Sequence, residues 1–271
     1  MHFKKRLLFT CLLFTAFSSA VAARDAVIFG VNAGALPGQM EREMAGVVAQ
    51  LQSSPSIDVK LVVYPNHDAL SAALRQNKVD LAFLGAVKYV EAHYDFGAVP
   101  IVAECCNVRT FIAVTPDSSF QTVEQLKGKR FGFGYEDSTT THLIPVLMLS
   151  RHGLKQKDVE AQFLGHQPVK TVEALLAKKV DAIAVSDFVY DQYQGRIRVI
   201  DKSDEFPGPP IAARKGLNPT IAAEVRRLMV AYKPKDKASS QHFAKGAVAV
   251  TDNDYNRIRF LCKVLFDKMY Q

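Results

Sequence analysis

A chain of 271 residues that is 48% hydrophobic and 23% charged has ordinary globular composition and enough length for one large core or two domain-sized ones, which excludes a disordered or fibrous polymer. Its formal net charge of +7 is mild and includes three cations of an N-terminal segment. No Arg-rich arm or Lys run follows that segment, so nucleic acid is not an expected partner and the surplus charge suits anionic small ligands instead.

The N-terminus reads as a secretory signal over residues 1–22: Lys4, Lys5 and Arg6, an apolar run from Leu7 to Phe17, then small residues ending in Ala20-Val21-Ala22. That run is too short for a membrane span, and Thr10 before Cys11 disfavours a lipid anchor. Removing residues 1–22 leaves 249 residues and a net charge of +4. Three cysteines remain, Cys105, Cys106 and Cys262. In an oxidising compartment this odd number leaves one bridge plus one buried thiol, or three buried thiols.

Beyond the signal, apolar runs alternate with amphipathic ones. Strands are predicted over 26–32, 58–65 and 79–85, with helices over 39–52, 68–77 and 86–94 between and after them. A strand over 110–116, a helical turn over 122–128, a strand over 129–135 and a helix from about 140 to 152 continue the series. Further strands are predicted over 160–166 and 180–186, with a helix over 169–178 and a short one over 187–193. The segment 207–219 returns the chain, ahead of helices over 219–232 and 253–269. Such alternation specifies an α/β fold.

An internal echo organises this pattern. "ALRQNKVDLAFLGAVKY" (Ala73 to Tyr89) and "ALLAKKVDAIAVSDFVY" (Ala174 to Tyr190) share A-L-x-x-x-K-V-D and a Tyr nine residues after the Asp, at a constant offset of 101. Each copy reads as helix, tight turn, buried strand and short helix. Asp80 and Asp181 occupy equivalent turn positions, which favours a structural role over paired acid–base chemistry. Two lobes of similar wiring would meet at the carboxyl ends of their strands, where open α/β sheets bind ligands.

That cleft would hold residues 85–89, 138–141 and 186–190. The four consecutive hydroxyl residues Ser138, Thr139, Thr140 and Thr141 follow a Gly-rich strand and open a helix. One cap needs a single side chain. A hydroxyl cluster with the N–H groups of a helix start can satisfy an ionised or a singly protonated oxyanion without a fixed charge, a cofactor or a metal. Enzyme signatures are lacking: no H-E-x-x-H, G-x-S-x-G, Walker or Zn-ribbon spacing occurs, and the seven histidines do not fall at metal-ligand intervals.

Nearly the whole mature chain resembles the periplasmic phosphonate/phosphite/phosphate-binding proteins of ABC transporters (PhnD-like). The resemblance is carried in order by "ALRQNKVDLAFLGAVKYVEA", "DSSFQTVEQLKGKRFGFGYEDSTTTHLIP" and "PGPPIAARKGL". It implies a two-lobed fold of the type II periplasmic-binding-protein class, with a signal at 1–22, a discontinuous first lobe over 23–110 and 205–271, and a second lobe over 111–204. It also implies a monomer in the periplasm that hands a small oxyanion to an inner-membrane ABC permease. Carried over by residue, Ser138, Thr139 and Thr140 contact the oxyanion with Thr141 beside them, and Tyr89 reaches it from the opposite lobe. His67, which stands where the family has a Tyr, and His166, two residues before the position of a family His, are by the same resemblance expected to line the cleft and bind the ligand. Thr141 and Ala86 replace a Gly and a Pro of the pattern.

Cys105 and Cys106 precede the strand that crosses between lobes, and a thiolate there would be a soft ligand. Arsenite-sensing periplasmic proteins belong to the same broad family and use cysteine. The alternative expectation is therefore a sensor that captures a thiophilic solute through Cys105 and Cys106 and signals to a membrane sensor kinase.

Overall fold

The structure, a computed structural model, describes residues 24–33, 38–136, 138–165, 167–234, 242–267 and 269–270. Its first sheet begins with β1 (Asp25–Asn32), followed by α1 (Gln39–Gln52) and β2 (Ile57–Tyr64). Met40, Met44, Val47 and Leu51 recur at helical spacing, and all four are buried on the inner stripe of α1. Next come α2 (His67–Arg75), β3 (Leu81–Phe83), α3 (Ala86–Phe96) and β4 (Val99–Glu104). The α2 helix starts where it does because the Asn66 side chain accepts the Ala69 N–H at 2.8 Å.

The chain then crosses to a second sheet through β5 (Thr110–Val114). There follow β6 (Arg130–Phe133), α4 (Ile144–Arg151), β7 (Glu160–Phe163), α5 (Pro168–Leu176), β8 (Ala182–Ser186), α6 (Asp187–Gln192) and β9 (Arg198–Lys202). It returns through β10 (Pro210–Ala213), α7 (Pro219–Val230), β11 (Ala247–Ala249) and α8 (Asn256–Phe266). The strand orders are β11-β4-β10-β3-β1-β2 and β7-β6-β8-β5-β9. In both sheets a central strand of the echo, β3 or β8, lies between a parallel neighbour (β1 or β6) and an antiparallel crossing strand (β10 or β5).

The echo extends to single residues. Asn77 and Lys178, 101 positions apart, both turn the chain with a φ of 57°. Asp80 Oδ2 accepts the Ile28 N–H at 2.9 Å and Oδ1 pairs with Arg214 at 2.8 Å. Asp181 Oδ2 accepts the Arg130 N–H at 3.0 Å, and its carboxylate holds the Arg130 guanidinium at 2.6 Å. Each aspartate thus ties the start of its strand to the parallel neighbour.

Two segments connect the sheets, 105–109 outward and 203–209 on return. They pair with each other: the Val108 N–H donates to the Phe206 carbonyl at 2.7 Å and the Phe206 N–H to the Val108 carbonyl at 2.9 Å. Ser203 Oγ accepts the Thr110 N–H at 2.9 Å, and Arg109 meets Glu205 at 2.6 Å. Helix α8 packs against α3 on one side and α4 on the other, so apolar contact also spans the two sheets on the face behind these segments. Four strands escaped the sequence reading. β4 is an apolar run without alternation, β10 is hidden in a proline-rich return, β9 has only Val199 and Ile200 between charged residues, and β11 has three residues. The last helix also ends at Phe266 rather than near 269.

Candidate functional site

A cavity of about 220 Å³ opens between the two sheets. Its first-sheet wall is built from Asn32 and Ala33 after β1, His67 at the start of α2, and Phe83 and Gly85 at the end of β3. The second-sheet wall uses Gly134 and Tyr135 after β6, and residues 186–189 at the end of β8. Both walls sit at carboxyl ends of parallel strands, the position that the wiring of an open α/β sheet leaves for a ligand.

The hydroxyl stretch forms a wide first turn ahead of α4. The N–H groups of His142 and Leu143 both donate to the Ser138 carbonyl, at 3.1 and 2.9 Å, while Ser138 Oγ accepts the Thr141 N–H at 3.2 Å. Thr110 Oγ1 on the crossing strand donates to the Thr140 carbonyl at 2.7 Å, tying the turn to β5. Ser138, Thr140 and Thr141 line the cavity. Gly134 is required beneath them: a Cβ there would overlap Thr141 Oγ1 and Cβ.

Contacts also run from sheet to sheet at the edge of the cavity. The Val87 N–H, in the first turn of α3, donates to Thr139 Oγ1 at 3.4 Å. His67 Nε2 and the Tyr135 hydroxyl lie 3.4 Å apart with their rings stacked at 6.2 Å.

A third face is acidic. Glu104 at the end of β4 accepts from His242 Nδ1 at 2.7 Å and from the Phe243 N–H at 3.3 Å, and Glu43 on α1 lies 3.5 Å from His242 Nε2. All three side chains line the cavity. Burial alone would depress the His242 pKa, but the charge and hydrogen bond of Glu104, with Glu43 behind it, raise it above the ordinary imidazole value. Protonated His242 would partly offset the negative charge of its two neighbours.

The model of the family described as "ABC transporter, phosphonate, periplasmic substrate-binding protein" matches residues 29–255. The chain belongs to that family. Family members are substrate-binding proteins rather than enzymes. The probable ABC transporter phosphite-binding protein PhnD1 of Prochlorococcus marinus (strain MIT 9301) is 25% identical over 177 residues, 60% of this chain and 59% of the relative's own length. The phosphonates-binding periplasmic protein of Escherichia coli (strain K12) is 24% identical over 234 residues, 79% of this chain and 68% of the relative. The solved structure of PhnD1 from Prochlorococcus marinus in complex with methylphosphonate superposes with a TM-score of 0.73 at 17% identity, covering 89% of this chain and 98% of that one. A binding-protein component of an ABC phosphonate transporter from Pseudomonas aeruginosa gives 0.70 at 18% identity, with coverage of 88% and 86%. The shared fold is that of the type II periplasmic binding proteins.

Several residues carried over from the family stand elsewhere than expected. Tyr89 does not line the cavity; it is fully buried, packs its ring 4.5 Å from that of Tyr255, and donates its hydroxyl to Asp252 at 2.6 Å. Desolvation and the Asp252 charge push its pKa far up, as expected of a neutral core donor. Position 89 falls on the inner face of α3, where the turn 252–255 ahead of α8 supplies an aromatic and hydrogen-bonding surface. Thr139 turns its hydroxyl to α3 instead of into the cavity. His67 does line the wall, and His166 lies outside the described residues.

Cys105 and Cys106 are joined to each other in a disulfide and do not line the cavity, so they direct no thiolate into it. The sensor reading has no support from the relatives, which are named for phosphite and phosphonates. Cys262 is buried on α8.

The sequence reading passed over Tyr135, Glu43, Glu104 and His242. Glu43 did carry a signal: it falls three residues after Met40 and one before Met44, on the stripe that packs inward.

Proposed function

We propose that this chain captures a small phosphorus oxyanion, a phosphonate, phosphite or phosphate, between its two sheets in the periplasm and presents it to an inner-membrane ABC permease. In this reading residues 1–22 are a removed signal, 23–110 with 205–271 form one lobe, 111–204 form the other, and ligand binding selects the closed arrangement that the permease reads. The observation that carries it is the Ser138–Thr141 turn, which directs Ser138, Thr140 and Thr141 to one cavity wall beside the start of α4. Its donors are neutral, so an oxyanion is held by hydrogen bonds worth roughly 1.5 to 3 kcal/mol each when one partner is charged. His67 stands on the opposite wall and meets Tyr135 of the hydroxyl side at 3.4 Å.

The Glu43–His242–Glu104 face favours a ligand whose far side donates hydrogen bonds, such as a singly protonated oxyanion or one bearing an ammonium group, since a bare dianion would face two carboxylates. Calorimetric titration with phosphate, phosphite, methylphosphonate and 2-aminoethylphosphonate tests the proposal. Micromolar or tighter binding of at least one is expected, and absence of heat across the four would contradict it.

A further inference from the structure

Glu104 ends β4, and the two residues that follow it open the crossing segment. Cys105 is half-buried, Cys106 is exposed, and their sulfurs are bonded to each other. The Cys105 N–H donates to the Gly246 carbonyl at 2.9 Å, next to the segment that supplies His242 and Phe243 to the Glu104 carboxylate. Two residues further on, Val108 pairs with Phe206 of the return segment. The return segment also presses on Glu104 itself, since a Cβ on Gly208 would come within 2.7 Å of the Glu104 carbonyl oxygen.

The disulfide therefore lies between a cavity-lining carboxylate and the main-chain bridge that joins the two crossings. A bond between the sulfurs of adjacent residues closes a ring through the peptide that links them, which removes backbone rotations from both. Hinge closure depends on a few residues at element ends absorbing φ/ψ change. Opening the ring returns rotations to the backbone beside Glu104 and at the start of the crossing segment.

We propose that Cys105–Cys106 is a thiol–disulfide exchange site that sets the affinity of the cleft, the oxidised form holding Glu104 against His242 and the reduced form binding more weakly. The inference rests on the oxyanion reading of the cavity. The co-reactant is a dithiol reductant: one of its thiolates attacks the exposed Cys106 sulfur, the Cys105–Cys106 bond breaks as a mixed disulfide forms, and the second reductant thiolate displaces Cys106. Two electrons and two protons pass to the cysteines, which become thiols, and the reductant leaves as its own disulfide.

The test is calorimetric titration of the protein, before and after treatment with dithiothreitol, with methylphosphonate, phosphite and phosphate, alongside native alkylation read by mass. Dithiothreitol is expected to expose two alkylatable thiols and weaken the best-bound probe by ~5-fold, the lower end of coupling between linked sites. The Cys105→Ser/Cys106→Ser double variant is expected to bind like the reduced protein and to ignore dithiothreitol. Equal affinity in the two states, or two alkylatable thiols at 105 and 106 before any reductant, would overturn this inference alone. No binding of any probe in either state would overturn the oxyanion reading and this inference with it.

Discussion

The two copies of the echo share their scaffold and differ at their caps. In both, the aspartate after the helix–turn ties its strand to the parallel neighbour, and in both the residue at the turn has a left-handed backbone. At the end of the strand they diverge. Ser186 caps α6 with its own hydroxyl, accepting the Val189 N–H at 3.4 Å, whereas Gly85 offers α3 no side-chain cap and the Val87 N–H reaches Thr139 on the other sheet. The tyrosines part as well: Tyr89 is locked to Asp252, while Tyr190 packs on the Phe111 ring of the crossing strand at 5.0 Å. Repetition fixes where the two walls stand, and the unrepeated residues decide what each wall offers a ligand.

The strongest way to break this comparison is at the shared aspartates. Asp80→Ala and Asp181→Ala each remove an acceptor for a backbone N–H and for an arginine from a largely buried turn. Each is expected to cost about 3 kcal/mol in urea unfolding, and a large difference between them would deny that the positions are equivalent. Gly134→Ala follows, at about 2 kcal/mol for the overpacking against Thr141, with ligand affinity falling in the same titration because the hydroxyl turn must move.

At the caps the expectation is asymmetric. Ser186→Ala should cost about 1 kcal/mol of stability, and Gly85→Ala much less, because a Cβ there meets Thr139 only at an ordinary 3.9 Å. Unfolding curves of the two variants compare the ends directly. A further effect, of the size of the Ser186 cap, is one of pH. His242 has a folded pKa raised above its value of 6.5, so its contribution is complete below that unfolded value and is lost as pH rises through the folded one. Affinity for an oxyanion should weaken over the same rise by about 1 kcal/mol, the size of one charge interaction near 4 Å in water. Glu104→Gln should shift that step to lower pH, and a pH-independent affinity in the native protein would remove His242 from the site.

Legibility in the sequence followed the physics of each element. Periodic segments such as 39–52 were readable because Met40, Met44, Val47 and Leu51 repeat at the helical period. The echo carries the position of both cavity walls in its repeated strand ends, and the run of hydroxyls marks the turn that lines one of them. Strand β4 was not readable, because a strand covered on both faces has no alternation to detect. Tyr89 was misplaced for a different reason: a helix can present its Tyr to the cleft or to the core, and only the arrival of Tyr255 and Asp252, in the turn before α8 and more than 160 residues away, decides between them. His242 and Glu104 meet across 138 residues, a distance that no local pattern encodes.

The central claim is that the Ser138–Thr141 turn holds an anion between the sheets. Calorimetric affinity of Ser138→Ala, set beside Tyr89→Phe, tests it most directly with whichever phosphorus oxyanion the native protein binds best. Ser138→Ala is expected to weaken binding by about tenfold or more, the equivalent of one charge-assisted hydrogen bond, and Tyr89→Phe to leave affinity nearly unchanged while lowering stability. Unchanged affinity in Ser138→Ala, or a larger loss in Tyr89→Phe, would contradict it.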